Sequence, residues 1–122
     1  MVVIDIRALP ELVRDDPFLV HRGRHARFRF LLHIGPEAWW IDVCEGFVEV
    51  SPKTLPSQSG DFSLRAHEES WAKHWQAVPP RDFHDLFAML SSGHLTMEGN
   101  LLPLMQNLQL VKDIIAKLRS SS

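Results

Sequence analysis

The C-terminal segment of the chain constrains the fold most, because it carries more apolar side chains than one buried helix face can use. Residues 101–119 place one apolar stripe at helical spacing, formed by Leu101, Leu104, Leu108, Val111, Ile115 and Leu118. Leu102, Met105, Leu110 and Ile114 widen it. An ordinary surface helix buries a stripe roughly 100° wide. We therefore predict a long C-terminal helix, capped by Asn100 and tolerant of Pro103 in its first turn, that is apolar on more than one side.

Strand and helix patterns alternate before this segment. Residues 61–67 are predicted to form a strand that runs into a helix bearing Trp71 and Trp75. These tryptophans share a helix face, since their spacing is that of one helical turn. A second helix is predicted over 83–90, with Asp82 as its cap. This half of the chain therefore combines strands with helices that each have one large apolar face.

The first half predicts a short helix followed by antiparallel strands. Asp5 can cap the helix, which should end before Pro17 because a residue that precedes proline avoids helical geometry. Alternating apolar residues and short glycine turns predict a meander of strands at 26–34, 39–44 and 47–50. Residues 51–60 have the composition of a surface loop, and neither side of it looks self-sufficient as a domain.

This order of elements resembles the sterol carrier protein 2-like family. Family members typically show a strand running into a helix with an aromatic residue, a glycine at a helix end, a strand that closes in a Gly-Asp-like turn, and a C-terminal helix. Gly93 stands at the helix end, and the turn here is Gly99-Asn100, with an amide in place of the usual acid. The resemblance implies an α+β domain over residues 1–122, with a five-stranded, mainly antiparallel sheet, helices packed on it and a frayed tail at 119–122.

The resemblance also implies a hydrophobic ligand, such as a fatty acyl chain, a sterol, an isoprenoid or a quinone-like lipid. We place its cavity between the sheet, the helix at 83–90 and the C-terminal helix. Hydrocarbon burial contributes about 0.8 kcal/mol per CH₂, so such a site needs few polar contacts. The candidate ligand-binding residues are Phe83, Phe87, Leu90, Met97, Leu101, Leu104, Met105, Leu108, Val111 and Ile115.

The residues leave two further roles open for the apolar C-terminal helix. It could be an ordinary buried helix, or it could form the seam of a homodimer or of a complex with another protein, with no ligand at all. An enzyme of the cone-shaped nuclear-transport-factor-2-like kind fits less well, because that fold opens with several helices before long curved strands.

Arginines are concentrated between Pro17 and Pro36, where the sequence has no acidic residue. Arg27 and Arg29 share a strand face and are candidates for binding an anionic head group or a membrane surface. A solvated strand face is the alternative interpretation.

Composition argues against several classes of function. The net charge is −2, which gives no case for nucleic acid. Cys44 is the only cysteine, so an intramolecular disulfide and a cysteine metal cluster are excluded, and a reducing cytoplasm is the expected location. No apolar run reaches the ~20 residues of a membrane span, so we expect no stable membrane insertion.

No catalytic motif emerges from the polar residues. The histidines lack metal-ligand spacing and are interpreted as surface or capping residues. The thiol of Cys44 ends a strand, where such a group is usually inert, and Ser91-Ser92-Gly93 is a helix end without a preceding strand. We therefore expect a non-enzymatic protein that uses no cofactor or metal.

Overall fold

A computed structural model describes residues 6–52 and 61–119. Its strands are β1 (Arg27–Ile34), β2 (Glu37–Cys44), β3 (Phe47–Pro52), β4 (Phe62–Ala66) and β5 (Thr96–Gly99). They form one five-stranded sheet in the order β3-β2-β1-β4-β5. The pairs β1–β2, β2–β3 and β4–β5 are antiparallel, whereas β1 and β4 run parallel. The predicted α+β class and mainly antiparallel sheet are confirmed.

The alternation in β1 sets which face of the sheet carries the core. Phe28, Phe30, Leu32 and Ile34 are all buried on one face, as the pattern predicts. The ring of Phe30 stacks on that of Phe62 in β4, with centroids 4.9 Å apart and planes inclined by 6°. Aromatic pairs of this kind add to the apolar burial that holds neighbouring strands together.

The N-terminal helices pack over the tip of the β2–β3 hairpin. A 3₁₀ turn (Ile6–Ala8) leads into α1 (Leu9–Arg14), and α2 (Pro17–Arg22) follows at once. The predicted stop before Pro17 occurs, but Asp16 then caps a new helix by accepting a hydrogen bond of 3.1 Å from Leu19 N. The predicted Asp5 cap lies outside the described residues, as do positions 53–60 of the predicted loop and 120–122 of the predicted tail.

Two helices lie between β4 and β5. They are α3 (Glu68–His74) and α4 (Leu86–Ser91). The predicted shared face of Trp71 and Trp75 is confirmed, since both rings are buried and stack with centroids 5.1 Å apart. The helix predicted over 83–90 starts later, because the side chain of Asp85 accepts a hydrogen bond from Phe87 N and caps it there. The predicted cap, Asp82, instead has a left-handed backbone (φ 72°) in the preceding turn.

The C-terminal segment is two helices rather than the single long helix predicted. They are α5 (Leu102–Gln106) and α6 (Leu108–Ala116), and Asn107 between them has φ −124° and ψ 28°. The side-chain Nδ2 of Asn107 donates to Pro103 O at 2.9 Å, so this side chain competes with the backbone and interrupts the helix. Asn100, the predicted cap, lies one residue before the N-cap position Leu101, and its Oδ1 accepts a hydrogen bond of 3.2 Å from Leu102 N.

Within 6–52 and 61–119, no helix is both long and apolar enough to span a bilayer. The same ranges hold no group of three or more His, Cys, Asp or Glu side chains that could bind a metal ion.

Candidate functional site

Some of the candidate ligand-binding residues belong to the packed core. Phe83, Leu104, Val111 and Ile115 are buried and join one cluster with the apolar face of the sheet. Val111 and Ile115 lie on the buried face of α6, and Leu104 is the one buried side chain of α5. The structure therefore brings these four residues into one apolar interior, where they contact side chains rather than solvent.

The other candidates lie at the margin of that interior. Met97 on β5, Leu101 and Leu108 pack against the core but stay partly exposed. Phe87 is partly buried, with Lys112 Nζ 5.0 Å from its ring centroid. Leu90 remains 37% exposed. These residues come from α4, β5, the N-cap of α5 and α6, so they lie on several elements around the core.

Helix α5 exposes large apolar side chains to solvent. Met105 is 49% exposed and Leu102, which the sequence did not single out as a site residue, is 60% exposed. Just before α5, Asn100 N–H donates to Asp61 O at 2.7 Å, next to the start of β4. Within α5, the fully buried side chain of Leu104 anchors the helix to the core.

Four open clefts that are lined by described residues have volumes of 200, 380, 330 and 530 Å³. None of these four is lined by a candidate ligand-binding residue. A closed apolar cavity between the sheet, α4 and the C-terminal helices therefore stays a prediction.

Both candidate head-group arginines have protein partners. Arg27 donates to Glu45 Oε1 at 2.7 Å, and this hydrogen bond raises the pKa of Arg27. Arg29 Nε lies 3.4 Å from Asp42 Oδ2, and the guanidinium carbon sits 3.8 Å from the centroid of the Trp40 ring. An incoming anion would have to compete with these carboxylates, so the head-group role of the two arginines stays a prediction.

His74 is a buried polar residue that sequence reasoning missed. It ends α3, is only 3% exposed, and its Nδ1 lies 2.7 Å from Phe83 O. Because a carbonyl oxygen can only accept, Nδ1 carries the proton, and Nε2 has no partner among the described residues. Burial lowers the pKa of His74, so the ring is neutral near pH 7. The local sequence around His74, a helix with two tryptophans, does not predict this hydrogen bond, because Phe83 lies in a loop that follows the helix.

Comparison with known proteins informs the fold of this chain and not its ligand. No protein-family model matches the sequence, and no curated protein matches it. A crystal structure of sterol carrier protein 2 superposes with a TM-score of 0.72 at 13% identity, covering 94% of this chain and 93% of that one. The ubiquinone synthesis protein UbiJ-SCP2 superposes with a TM-score of 0.62 at 18% identity, covering 93% and 87%.

The chain has the sterol carrier protein 2-like fold. Apo sterol carrier protein 2 from Yarrowia lipolytica agrees, with a TM-score of 0.57 at 11% identity and coverage of 93% and 88%. The coverage shows that the sterol carrier protein 2-like fold extends over nearly the whole of this chain. At these identities the likeness shows the fold alone, so a ligand has to be argued from the residues themselves.

Proposed function

We propose that the protein binds and carries a hydrophobic molecule of the fatty acyl, sterol, isoprenoid or quinone-like class, without catalysing a reaction. The observation that carries this proposal is α5, an almost wholly apolar helix that buries Leu104 and leaves Leu102 and Met105 in solvent. Exposed apolar surface of this kind at the rim of an apolar interior is typical of a ligand or partner site.

The ligand would enter when α5 moves outward. Withdrawing Leu104 from the core costs about 1.5–3 kcal/mol of apolar burial. An alkyl chain that takes its place against Val111 and Ile115 regains about 0.8 kcal/mol for each CH₂. About two to four CH₂ groups therefore offset the withdrawal of Leu104, and a longer chain gives a net gain.

The names of the structural neighbours support the same class of ligand. One neighbour is called sterol carrier protein 2 and another a ubiquinone synthesis protein. Both names concern molecules that are largely hydrocarbon, which agrees with a site built from Leu, Met, Val, Ile and Phe side chains.

Replacement of Leu108 by arginine tests the proposal. Leu108 begins α6 and is partly exposed, so the variant should fold, while a charge there should abolish uptake of a fluorescent fatty acid. Leu12→Arg is the matched control, because Leu12 is an exposed leucine on α1, which packs against β3 at the far edge of the sheet. Uptake that is equal in the Leu108 variant and the wild type would contradict the proposal. Native mass spectrometry of the purified wild type should also show a bound lipid.

The proposed head-group contacts can be tested in the same assay. Replacing both Arg27 and Arg29 by alanine should weaken binding of an anionic lipid more than of a neutral one, because only the anion uses the guanidinium charge. Equal weakening of both lipids would remove these arginines from the site.

The second candidate function is a protein-interaction or dimerisation module. The exposed Leu102 and Met105 favour it directly, since a partner protein could cover the same α5 surface. Light scattering over a range of concentrations separates the two candidates. A concentration-dependent dimer that is lost in Leu102→Glu, together with no lipid uptake by the wild type, would favour the interaction module.

A further inference from the structure

A second cleft lies at the end of strand β1 that is opposite to Arg27 and Arg29. Because β1 and β4 are parallel, their C-terminal ends lie side by side at one end of the sheet. Arg27 and Arg29 lie at the other end, at the start of β1. A cleft of 380 Å³ opens at the C-terminal ends of these two strands, between the β1–β2 turn and the end of α4. We propose that this cleft binds an oxyanion, the phosphate or carboxylate group of a small molecule or of an amphiphile.

The lining of the cleft is chemically one-sided. Arg65, His67, His94 and Thr96 are among its lining residues, and none of the described residues that line it is acidic. Guanidinium, imidazole and hydroxyl groups donate hydrogen bonds, and a guanidinium fork matches the geometry of carboxylate and phosphate oxygens.

Among the arginines of the sheet, Arg65 alone has no carboxylate partner in the part of the chain that the structure describes. Arg27 and Arg29 are paired with Glu45 and Asp42, whereas Arg65 has no acidic partner within residues 6–52 and 61–119. It stands between His33 of β1 and Thr96 of β5 in the strand register, and it is exposed. Its charge and its donors are therefore available to a ligand anion.

Hydrogen bonds and ring stacking hold the walls of the cleft in place. Gly35 N–H donates to Ala66 O at 3.0 Å and so continues the pairing of β1 with β4 into the turn. On the other wall, His94 N–H donates to Met89 O at 2.8 Å, and the His94 ring stacks on Phe83 with centroids 4.5 Å apart. Gly93 follows the end of α4 with a φ of 83°, and a Cβ placed there would meet no atom within 4 Å.

The position of Phe83 connects this cleft to the proposed carrier site. Phe83 is both the stacking partner of His94 and one of the candidate ligand-binding residues, so an anionic head group in the cleft would leave its hydrocarbon beside the apolar interior. The head-group form of the inference rests on the proposed carrier function, whereas binding of a free anion does not.

Titration of the protein with inorganic phosphate, dodecyl phosphate and dodecanol tests the inference, with amide chemical shifts as the readout. Saturable binding of either phosphate compound that Arg65→Gln weakens at least tenfold supports it. Arg14→Gln is the matched control, because Arg14 is an exposed arginine on α1, and it should change affinity by less than twofold. If only dodecyl phosphate shows this dependence on Arg65, the anion is a head group; if inorganic phosphate also shows it, the cleft accepts a free anion.

The same titrations separate this inference from the carrier proposal. Absence of saturable binding of both phosphate compounds, or equal affinity in Arg65→Gln and the wild type, overturns the oxyanion site. Binding of dodecanol in that case leaves the carrier proposal standing. Arg65-dependent binding of inorganic phosphate with no binding of dodecanol or dodecyl phosphate would support the oxyanion site and count against the carrier.

Discussion

Indole hydrogen bonds join α3 to two different parts of the molecule. Trp71 Nε1 donates to His33 O on β1 at 2.8 Å, and Trp75 Nε1 donates to Ile115 O on α6 at the same distance. Each ring thus fills apolar space and also satisfies a buried carbonyl, which is the usual requirement for a buried indole. The C-terminal helix α6 is therefore joined to α3 by a specific bond as well as by apolar packing.

Trp75→Phe should destabilise the protein by about 0.5–1.5 kcal/mol through the lost hydrogen bond, because the buried carbonyl of Ile115 would keep only the longer bond (3.3 Å) from Leu118 N–H. Urea unfolding monitored by circular dichroism measures the change. Trp39→Phe is the control, since the Trp39 indole bonds to Glu37 in an exposed position and water can replace that partner. Equal losses of unfolding free energy in the two variants would show that the hydrogen bond to Ile115 stabilises the protein no more than the exposed one to Glu37.

Acid should destabilise the fold through His74. Burial lowers its pKa most, the bond to Phe83 O opposes this, and the charge of Arg119 lowers the pKa further. The unfolded chain therefore takes up a proton first as the pH falls below about 6.5. Stability should be constant above that pH and decrease below it. His74→Asn, with an amide that can still donate to Phe83 O, should show a flatter profile between pH 7 and pH 5; parallel profiles in urea unfolding would refute the assignment to His74.

The residues that sequence reasoning located correctly are those whose partners lie on the same element. Trp71 and Trp75 could be assigned one face because the period of the helix alone fixes it. His74 could not, because its environment is made by Phe83 and Arg119, which the chain brings in from elsewhere. The surroundings of Arg65 are likewise set by the neighbouring strands β1 and β5 rather than by local sequence.

The break between α5 and α6 is the main difference at the level of elements. Apolar periodicity runs through residues 101–118 without interruption, which is why periodicity alone predicts one helix. The signal for the break is Asn107 four residues after Pro103, where the side-chain amide reaches the proline carbonyl. Periodicity does not register this competition, since the polar residue stands outside the apolar stripe.

Asn107→Ala should join α5 to α6, because alanine favours the helix interior and cannot compete for the Pro103 carbonyl. Helical circular dichroism should increase, and hydrogen exchange of the α5 amides should slow. If α5 has to move for a ligand to enter, uptake of the fluorescent fatty acid should slow as well. Gln109→Ala controls for a general gain in helix propensity, as it lies within α6 and away from the junction. Faster uptake in Asn107→Ala would contradict the entry route.

At the scale of the whole molecule, the order of strands and helices is enough to predict the fold. The strands of the meander and the apolar, helical character of the C-terminal segment follow from local periodicity and from turns with glycine. The parallel pairing of β1 with β4 could not be predicted from local periodicity, because strands that are far apart in the sequence carry no local pattern that names their partner. The cleft that we assign to an oxyanion is a product of that pair, so it too was invisible in the sequence.

A bound hydrophobic ligand should stabilise the folded molecule as a whole. A fatty acid at about 100 times its Kd adds about 2.7 kcal/mol to the free energy of unfolding if it binds the native state alone. The midpoint of thermal unfolding should rise accordingly in the wild type and in Leu12→Arg, but not in Leu108→Arg. A rise of equal size in all three proteins would place the ligand away from α6.

The contact between α2 and the β2–β3 hairpin involves bare backbone. A Cβ on Gly46 would lie 2.1 Å from Val20 O, and Gly46 has a φ of 90°, so no other residue fits there without pushing the N-terminal helices off the hairpin. The hairpin and the N-terminal helices therefore meet through main-chain atoms, and a side chain of any size at position 46 would separate the two.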